Sequence, residues 1–185
     1  MASLYHPVKI GSLQLEGNLF LAPVAGYSDR AFRSLCIEFG ASFTYTEMVS
    51  SEALTRGSGK TEKLLQRAHN EKKYAVQIFG SDPERMADAA SMVADEATPE
   101  CIDINAGCPV PKIWKNGAGS ALTRDPDRLA LIVRAVTDRM KNKAAAEESA
   151  TMPVTVKIRS GWDDSALSWK EAAEAAVSAG AAAIT

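Results

Sequence analysis

Short apolar segments alternate with amphipathic stretches along the chain. The apolar segments are about five residues long, and several are nearly continuous runs, which is typical of strands buried on both faces of a parallel sheet. The stretches between them carry apolar residues at helical spacing. The pattern therefore predicts six strands, at residues 18–22, 42–46, 74–79, 101–105, 154–158 and 181–185.

Helix starts and ends can be recognised between these strands. Ser28 or Asp29 can cap the first helix, and Gly40 is placed to end it. The residues predicted to face the core from this helix are Phe32, Leu35, Cys36 and Phe39. Later helices are predicted to start at Ser81–Glu84, Asp125–Pro126 and Ser168–Glu171, the first and last with the spacing of a capping box. Residues 141–151 are expected to form a frayed helix end that runs into a solvated loop.

The spacing of the strands favours a barrel over a doubly wound sheet. A doubly wound sheet would carry a glycine-rich phosphate turn after its first strand, but Pro23–Tyr27 follows that strand and no GxGxxG motif occurs. A complete eight-unit barrel has about 250 residues, or roughly 31 per unit. The 185 residues of this chain correspond to about six units. We therefore predict an α/β fold of the (β/α)8 TIM-barrel type, truncated after about six βα units, with residues 1–185 as a single domain.

Catalytic groups of such barrels gather at the carboxyl ends of the strands. The residues predicted to lie there are Pro23, Val24, Ala25, Gly26, Glu47, Gln77, Asn105, Cys108, Lys157 and Arg159. Gln77 and Lys157 stand out because each interrupts an apolar run, where burial without a partner is costly. They could hydrogen-bond a planar heterocycle, or they could be a satisfied core amide and a structural salt bridge.

Cys108 lies between Gly107 and Pro109 in a predicted strand-end loop, where it is poorly placed for core packing. A cysteine thiol is mostly protonated at neutral pH, so a role as general acid is at least as natural as one as nucleophile. A nucleophile would want an activating histidine, and neither His6 nor His69 follows a predicted strand. An inert loop thiol is the alternative.

The segment after Cys108 is basic and contains glycine and tryptophan. Lys112, Lys115 and Arg124 could follow phosphates, while Trp114 could stack on a base. A plain solvated loop is an equal alternative from this segment alone. The formal net charge of −2 does not by itself indicate nucleic-acid binding, so any basic surface must be local.

The remaining composition narrows the class of protein. The three cysteines form no CxxC motif, and with only two histidines they predict neither a disulfide framework nor a metal site. A reducing, cytoplasmic location is the natural expectation. We expect no signal peptide, because the first eleven residues lack a long apolar core, and no membrane helix, because no apolar run reaches 18 residues.

These residues closely resemble the tRNA-dihydrouridine synthases, and among them the bacterial subgroup once named for a nitrogen-regulation locus. The matching segments are Leu21–Gly26 with Ser28–Arg30, Thr46–Val49, Val76–Gly80, Asp103–Pro109, Lys115–Leu122 and Val154–Arg159. The combination of Asn105–Pro109 with Gly117–Ser120 is highly specific to this family, far more so than any single strand.

The resemblance implies reduction of particular tRNA uridines to 5,6-dihydrouridine by FMN, with NADPH as the reductant. It implies that Cys108 donates the proton and that Asn105 holds the uracil. It also implies that the isoalloxazine is bound by Pro23, Val24, Ala25, Gln77 and Lys157. The basic residues Lys112, Lys115 and Arg124 would then contact tRNA.

Members of that family are longer, with a closed eight-stranded barrel and a C-terminal helical domain that helps to grip tRNA. We therefore expect this chain to be the N-terminal part of the barrel, without its last units and without the helical domain. Two alternatives remain open at this point. One is an inactive barrel fragment that self-associates through open sheet edges. The other is a flavin oxidoreductase acting on a free pyrimidine, similar to dihydroorotate dehydrogenases.

Overall fold

The computed structural model describes residues 4–185. All six predicted strands are present, some of them shorter than expected, and three more accompany them. In chain order, the strands are β1 (Val8–Ile10), β2 (Leu13–Leu15), β3 (Phe20–Leu21), β4 (Phe43–Tyr45), β5 (Val49–Ser50), β6 (Tyr74–Phe79), β7 (Cys101–Asn105), β8 (Val154–Lys157) and β9 (Ala183–Ile184).

The main sheet is parallel throughout and has the order β3-β4-β6-β7-β8-β9, with β5 added beside β6. It curls into a half-barrel, in which Phe20 and Thr185, from opposite ends of the strand order, line one small interior cavity of about 90 Å³. Helices connect the consecutive strands of this sheet, as parallel crossovers require, except for β4 and β5, which follow each other directly and both pair with β6. The observed fold is the incomplete (β/α) barrel that the sequence predicts.

The helices form a layer outside this sheet. In chain order, they are α1 (Arg30–Glu38), α2 (Ser51–Thr55), α3 (Gly59–Leu65), α4 (Pro83–Glu96), α5 (Pro111–Trp114), a 3₁₀ helix (Gly119–Arg124), α6 (Pro126–Ala146) and α7 (Trp169–Ser178). Val76, Ile102 and Val156 point from the sheet into the apolar core shared with α4, α6 and α7.

The antiparallel hairpin of β1 and β2 closes the amino-terminal end of the half-barrel. Leu13 and Leu15 pack there against Phe43 and Tyr45 of β4, and this makes a second, smaller apolar core. The sequence pattern did not predict this hairpin, because two three-residue strands are too short to show a period.

The predicted core face of α1 is wrong. Phe32 and Leu35 are each nearly half exposed and Phe39 is 84% exposed, whereas the buried residue of this helix is Arg33. The predicted helix is present, but α1 packs on β4 at the outer end of the layer. No helix among residues 4–185 covers its apolar side.

The helix starts differ from prediction in their chemistry rather than in their position. Asp82, and not Ser81, caps α4 by accepting a hydrogen bond from the Arg85 amide. Ser168 precedes α7 without capping it, because its hydroxyl donates to the carbonyl of Thr123. Across residues 4–185, no helix is both long enough and apolar enough to cross a membrane.

Candidate active site

A cavity of about 500 Å³ opens at the carboxyl ends of the parallel strands. Its walls include eight of the ten residues predicted at the strand ends, namely Pro23, Val24, Ala25, Gln77, Asn105, Cys108, Lys157 and Arg159. Side chains alternate across a strand, so every second residue of β6, β7 and β8 faces the inside of the half-barrel. This alternation places polar groups inside while the residues between them pack on the helices.

The turn after β3 is held by its own hydrogen bonds. The Val24 amide donates to the Ser28 hydroxyl over 2.9 Å, and the amides of Tyr27 and Ser28 donate back to the Val24 carbonyl. The Gly26 amide donates to a carboxylate oxygen of Glu47, which follows β4. Because Val24 is half exposed at the cavity, the turn offers backbone and small side chains to a flat ligand.

Gln77 is buried, and both ends of its amide have partners. Its Nε2 donates to Asp103 Oδ2 over 2.6 Å, and its Oε1 accepts from Asn105 Nδ2 over 2.9 Å. Gln77 therefore is a satisfied core amide bonded to the neighbouring strand. One Nε2 hydrogen remains for a ligand, because a primary amide carries two donors.

The Cys108 loop is anchored to the end of β7. Asn105 Oδ1 accepts hydrogen bonds from the amides of Gly107, over 3.2 Å, and Cys108, over 2.9 Å. The carbonyl of Cys108 accepts from the Ser120 amide over 3.0 Å, which ties the loop to the start of the 3₁₀ helix. The thiol is partly exposed and lies on the cavity wall.

Lys157 lies opposite Asn105 in the register of β7 and β8 and contributes to the cavity wall. No hydrogen bond or ion pair holds its ammonium group among the residues that the structure describes. The structural salt bridge considered for this residue is absent from that part of the chain. A half-buried cation without a fixed partner is available to a polar ligand edge.

Asp103 is the charged group beneath this cavity. Its Oδ1 accepts from the Thr155 hydroxyl and its Oδ2 from Gln77, each over 2.6 Å. Complete burial raises the pKa of Asp103 to about 6, while these two hydrogen bonds and the charge of Lys157 oppose the increase. The same surroundings raise the pKa of Tyr45 and of the Cys101 thiol, in both cases mainly through burial.

The three predicted tRNA contacts do not join the main cavity. Lys112 lines a neighbouring cavity of about 810 Å³ between α2, α4 and α5. Lys115 lies 5.8 Å from the ring centre of Trp114, and the Arg124 guanidinium lies 4.7 Å from that of Trp162. The two tryptophan rings meet edge to face with centres 5.2 Å apart. These groups form a cationic and aromatic surface beside the cavity.

The family model described as dihydrouridine synthase matches residues 20–185. The chain belongs to the dihydrouridine synthase family. It is 62% identical over 182 residues to a probable tRNA-dihydrouridine synthase of Treponema pallidum, and the match covers 98% of this chain and 52% of that protein.

More distant members of the family are also similar along most of the chain. The tRNA-dihydrouridine synthase B of Escherichia coli K12 is 39% identical over 178 residues, 96% of this chain and 52% of that protein. The same-named protein of Vibrio vulnificus is 40% identical over 156 residues, 84% of this chain and 45% of that protein. The chain therefore spans about half the length of these dihydrouridine synthases.

Sequence reasoning missed several residues of the cavity in this dihydrouridine synthase family member. Met48 and Ser160 line it, and Asp103 with Thr155 lies beneath it. The signal for the last two was present in the alternation Ile102-Asp103-Ile104-Asn105 and Val154-Thr155-Val156-Lys157. Two polar residues spaced by two within an apolar strand indicate a polar interior face.

Proposed function

We propose that the protein carrying this chain reduces specific uridines of tRNA to 5,6-dihydrouridine, using FMN and NADPH, with Cys108 as the proton donor. The observation that carries the proposal is the meeting of Cys108, Gln77 and Lys157 on one cavity wall in a chain of this family. The relatives are named as tRNA-dihydrouridine synthases, and this supports the choice of tRNA as substrate.

The residues present suit a flat ring with a polar edge. The turn at Pro23–Ala25 would lie against the ring, while the free N–H of Gln77 and the ammonium of Lys157 would bind its carbonyl and ring-nitrogen acceptors. When bound there and reduced by NADPH, FMN would supply the hydride that adds to C6 of the uracil.

Cys108 then holds the proton that C5 requires. Its thiol lies on the cavity wall, and the loop that carries it is fixed at both ends by Asn105 and Ser120. Transfer of the thiol proton to C5 completes the saturated C5–C6 bond and leaves a thiolate on Sγ. The second Nδ2 hydrogen of Asn105, which makes only a weak 3.9 Å contact with Met48 Sδ, would hold a uracil carbonyl. His6 and His69 both lie within the described residues and neither is on this wall, so no histidine base from that part of the chain faces the cavity.

The basic and aromatic surface beside the cavity is proposed to bind the RNA. Lys112, Lys115 and Arg124 are exposed, and they supply three cations for such binding on a chain of net charge −2. Phosphate neutralisation by such residues is sequence-independent and salt-sensitive. The target uridine must leave its stack to reach the cavity. We place this reaction in the cytoplasm, where the substrate tRNA is found. The three unpaired cysteines are compatible with its reducing environment.

The decisive variant is Cys108→Ala, with Cys36→Ala as its matched control. We expect Cys108→Ala to abolish dihydrouridine formation on unmodified tRNA while tRNA binding is retained, and Cys36→Ala to leave both unchanged. Undiminished dihydrouridine formation by Cys108→Ala would contradict the assigned proton donor. Binding of tRNA that does not weaken with salt, together with turnover of free uracil, would instead favour a free-pyrimidine oxidoreductase.

Flavin binding is tested separately on the 185-residue chain. We expect its absorbance spectrum, after incubation with FMN and removal of excess, to show flavin bands near one per chain. A colourless protein of the correct mass would contradict FMN binding by these residues alone. Sedimentation of the same sample tests the alternative left open above, self-association through β3 and β9, the two edges of the main sheet.

A further inference from the structure

The buried Asp103 carboxylate lies at the centre of a hydrogen-bond row across three strands. Gln77 of β6 and Thr155 of β8 are its direct partners in the strand register, and each donates to one of its oxygens over 2.6 Å. An ionised carboxylate has acceptors only. Whatever faces Asp103 must therefore present a donor.

This requirement fixes the direction of the Gln77 amide. Its Nε2 must point at Asp103, so its Oε1 points the opposite way, towards β7 one layer higher. There it accepts from Asn105 Nδ2 over 2.9 Å. A reversed Gln77 would set its oxygen against the carboxylate, and two buried acceptors would face each other without a proton between them.

The orientation of the Gln77 amide in turn determines how Asn105 contacts the Cys108 loop. Because its Nδ2 faces Gln77, its Oδ1 faces the loop and accepts from the amides of Gly107 and Cys108. The amides of Gly107 and Cys108 both need an acceptor. The row Asp103–Gln77–Asn105 supplies one, because the Asp103 carboxylate orients the Gln77 amide and Gln77 in turn orients Asn105 with its Oδ1 towards the loop.

Asp103 is mostly ionised at neutral pH, although burial favours its protonated form. Burial raises its pKa to about 6, and the Thr155 and Gln77 hydrogen bonds with the Lys157 charge keep it from rising further. Tyr45 and Cys101, the other titratable groups beside it, have raised pKa values and stay neutral at pH 7. The carboxylate therefore prevails at neutral pH.

We propose that Asp103 is a positioning residue for Cys108: its carboxylate orients the amides of Gln77 and Asn105 in series, and Asn105 holds the Cys108 loop. Asp103 itself touches neither the thiol nor the space where a substrate would lie. The assignment of a reacting thiol to Cys108 rests on the proposed function, but the orientation of the two amides does not.

A swap of the carboxylate and the amide tests this direction. Asn105→Asp alone places acceptors on both sides of Gln77, which can donate to only one of them. Asp103→Asn combined with Asn105→Asp removes the conflict, because Gln77 can reverse, donate to the new carboxylate at position 105, and accept from the new amide at position 103. Asp103→Asn alone is the matched control, since the amide at position 103 can still present its oxygen to Gln77 and its nitrogen to Thr155.

The readouts are the thermal midpoint and the rate of Cys108 alkylation by iodoacetamide, with Cys36 in the same chain as reference. We expect Asn105→Asp to lower the midpoint by several degrees and the double variant to recover most of that loss. We also expect alkylation of Cys108 to be at least threefold faster in Asn105→Asp than in the double variant, although both carry the same new charge. Additive losses, with a double variant no better than Asn105→Asp, would overturn the proposal.

A second measurement needs no substitution. In the unsubstituted chain, the bonded side-chain amide protons of Gln77 and Asn105 should exchange with water at least tenfold more slowly than those of the exposed Gln66. Equal exchange rates would overturn the proposal even if the variants fail to fold. None of these readouts uses flavin, NADPH or tRNA, so failure of the amide row and failure of the proposed reaction remain separate results.

Discussion

The guanidinium of Arg33 and the carboxylate of Glu71 are paired 2.7 Å apart, with both side chains buried. Arg33 also donates to the carbonyl of Ser28, whose hydroxyl accepts from the Val24 amide at the cavity. Burial works to raise the pKa of Glu71, but hydrogen bonds from Arg33, Thr44 and a backbone amide outweigh it and lower the pKa. The ion pair therefore connects the core to the turn that lines the cavity.

Removal of one partner should be far more harmful than loss of a surface pair. We expect Arg33→Met to reduce the free energy of unfolding by about 3 to 5 kcal/mol, because it leaves a buried carboxylate uncompensated. Urea denaturation measures the change. Arg139→Met, which breaks the exposed pair with Asp88, is the control and should cost about 1 kcal/mol or less. Equal losses of unfolding free energy in the two variants would show that the buried pair of Arg33 and Glu71 contributes no more to stability than an exposed pair.

The pH dependence of stability should report on Asp103. Its pKa rises from an ordinary 3.8 to about 6 on folding, mainly through burial, so the folded protein holds this proton more tightly than the unfolded chain. That contribution is complete below about pH 4 and is lost as the pH rises through 6. Relative to Asp103→Asn, which does not titrate, the unsubstituted chain should lose about 1 kcal/mol of unfolding free energy between pH 5 and pH 7.

Urea titrations at half-unit steps of pH measure this difference. The range begins at pH 5 because the pKa of Glu71 is lowered on folding. At more acidic pH, protonation of Glu71 therefore reduces the free energy of unfolding as the pH falls. Parallel curves for Asp103→Asn and the unsubstituted chain would mean that Asp103 titrates as an ordinary carboxylate.

Lys157 is the residue on which flavin affinity should depend most. We expect Lys157→Gln to weaken FMN binding roughly 10- to 100-fold, because a hydrogen bond from a charged donor is lost from a partly buried site. Fluorescence titration of FMN measures the dissociation constant. Lys112→Gln removes the same charge from the neighbouring cavity and should leave FMN affinity unchanged. If both variants weaken binding equally, only the general charge of the surface matters.

Gly119 should tolerate no side chain, because a Cβ there would lie 2.8 Å from the carbonyl oxygen of Cys108. Gly119→Ala should cost about 1 to 2 kcal/mol for its left-handed backbone, with φ at +60°, and about 1 to 3 kcal/mol more for the overlap. Gly117→Ala shares the positive φ but has its nearest foreign atom at 3.4 Å, so it should show the first cost alone.

Urea denaturation of both glycine variants separates the two terms. Displacement of the loop should also change the alkylation rate of Cys108 in Gly119→Ala and not in Gly117→Ala. Identical unfolding free energies for the two variants would contradict the close contact.

Much of the fold was predictable because buried strands and capped helices leave local signals. Pro83 and Pro126 begin helices where the sequence predicts them, and β6 and β7 have the predicted bounds. The β1–β2 hairpin and the exposure of α1 were not predictable in this way. Both depend on which other elements pack against them, and the spacing of apolar residues within one element carries no such information.

The candidate site divides along the same line. Cys108, Gln77 and Lys157 could be assigned to one end of a parallel sheet because the order of strands brings their ends together. The engagement of Asn105 with Gln77 and the Cys108 loop could not be assigned, since it depends on how two amides are turned. The partners of Arg124 and Lys115, two tryptophan rings, likewise require the three-dimensional path of their loops.

The two-residue alternation of β7 and β8 also restricts how these strands can change. Ile102 and Ile104 pack on the helices, while Asp103 and Asn105 face the inside of the half-barrel. Even positions of β7 therefore have apolar surroundings and odd positions have polar ones. A single-residue insertion or deletion within either strand would exchange the two sets. It would turn carboxylate and amide groups towards the apolar helix layer and isoleucines towards the cavity. Stability and chemistry would then fail together, so this segment should accept substitutions that keep each position's polarity but no change in length.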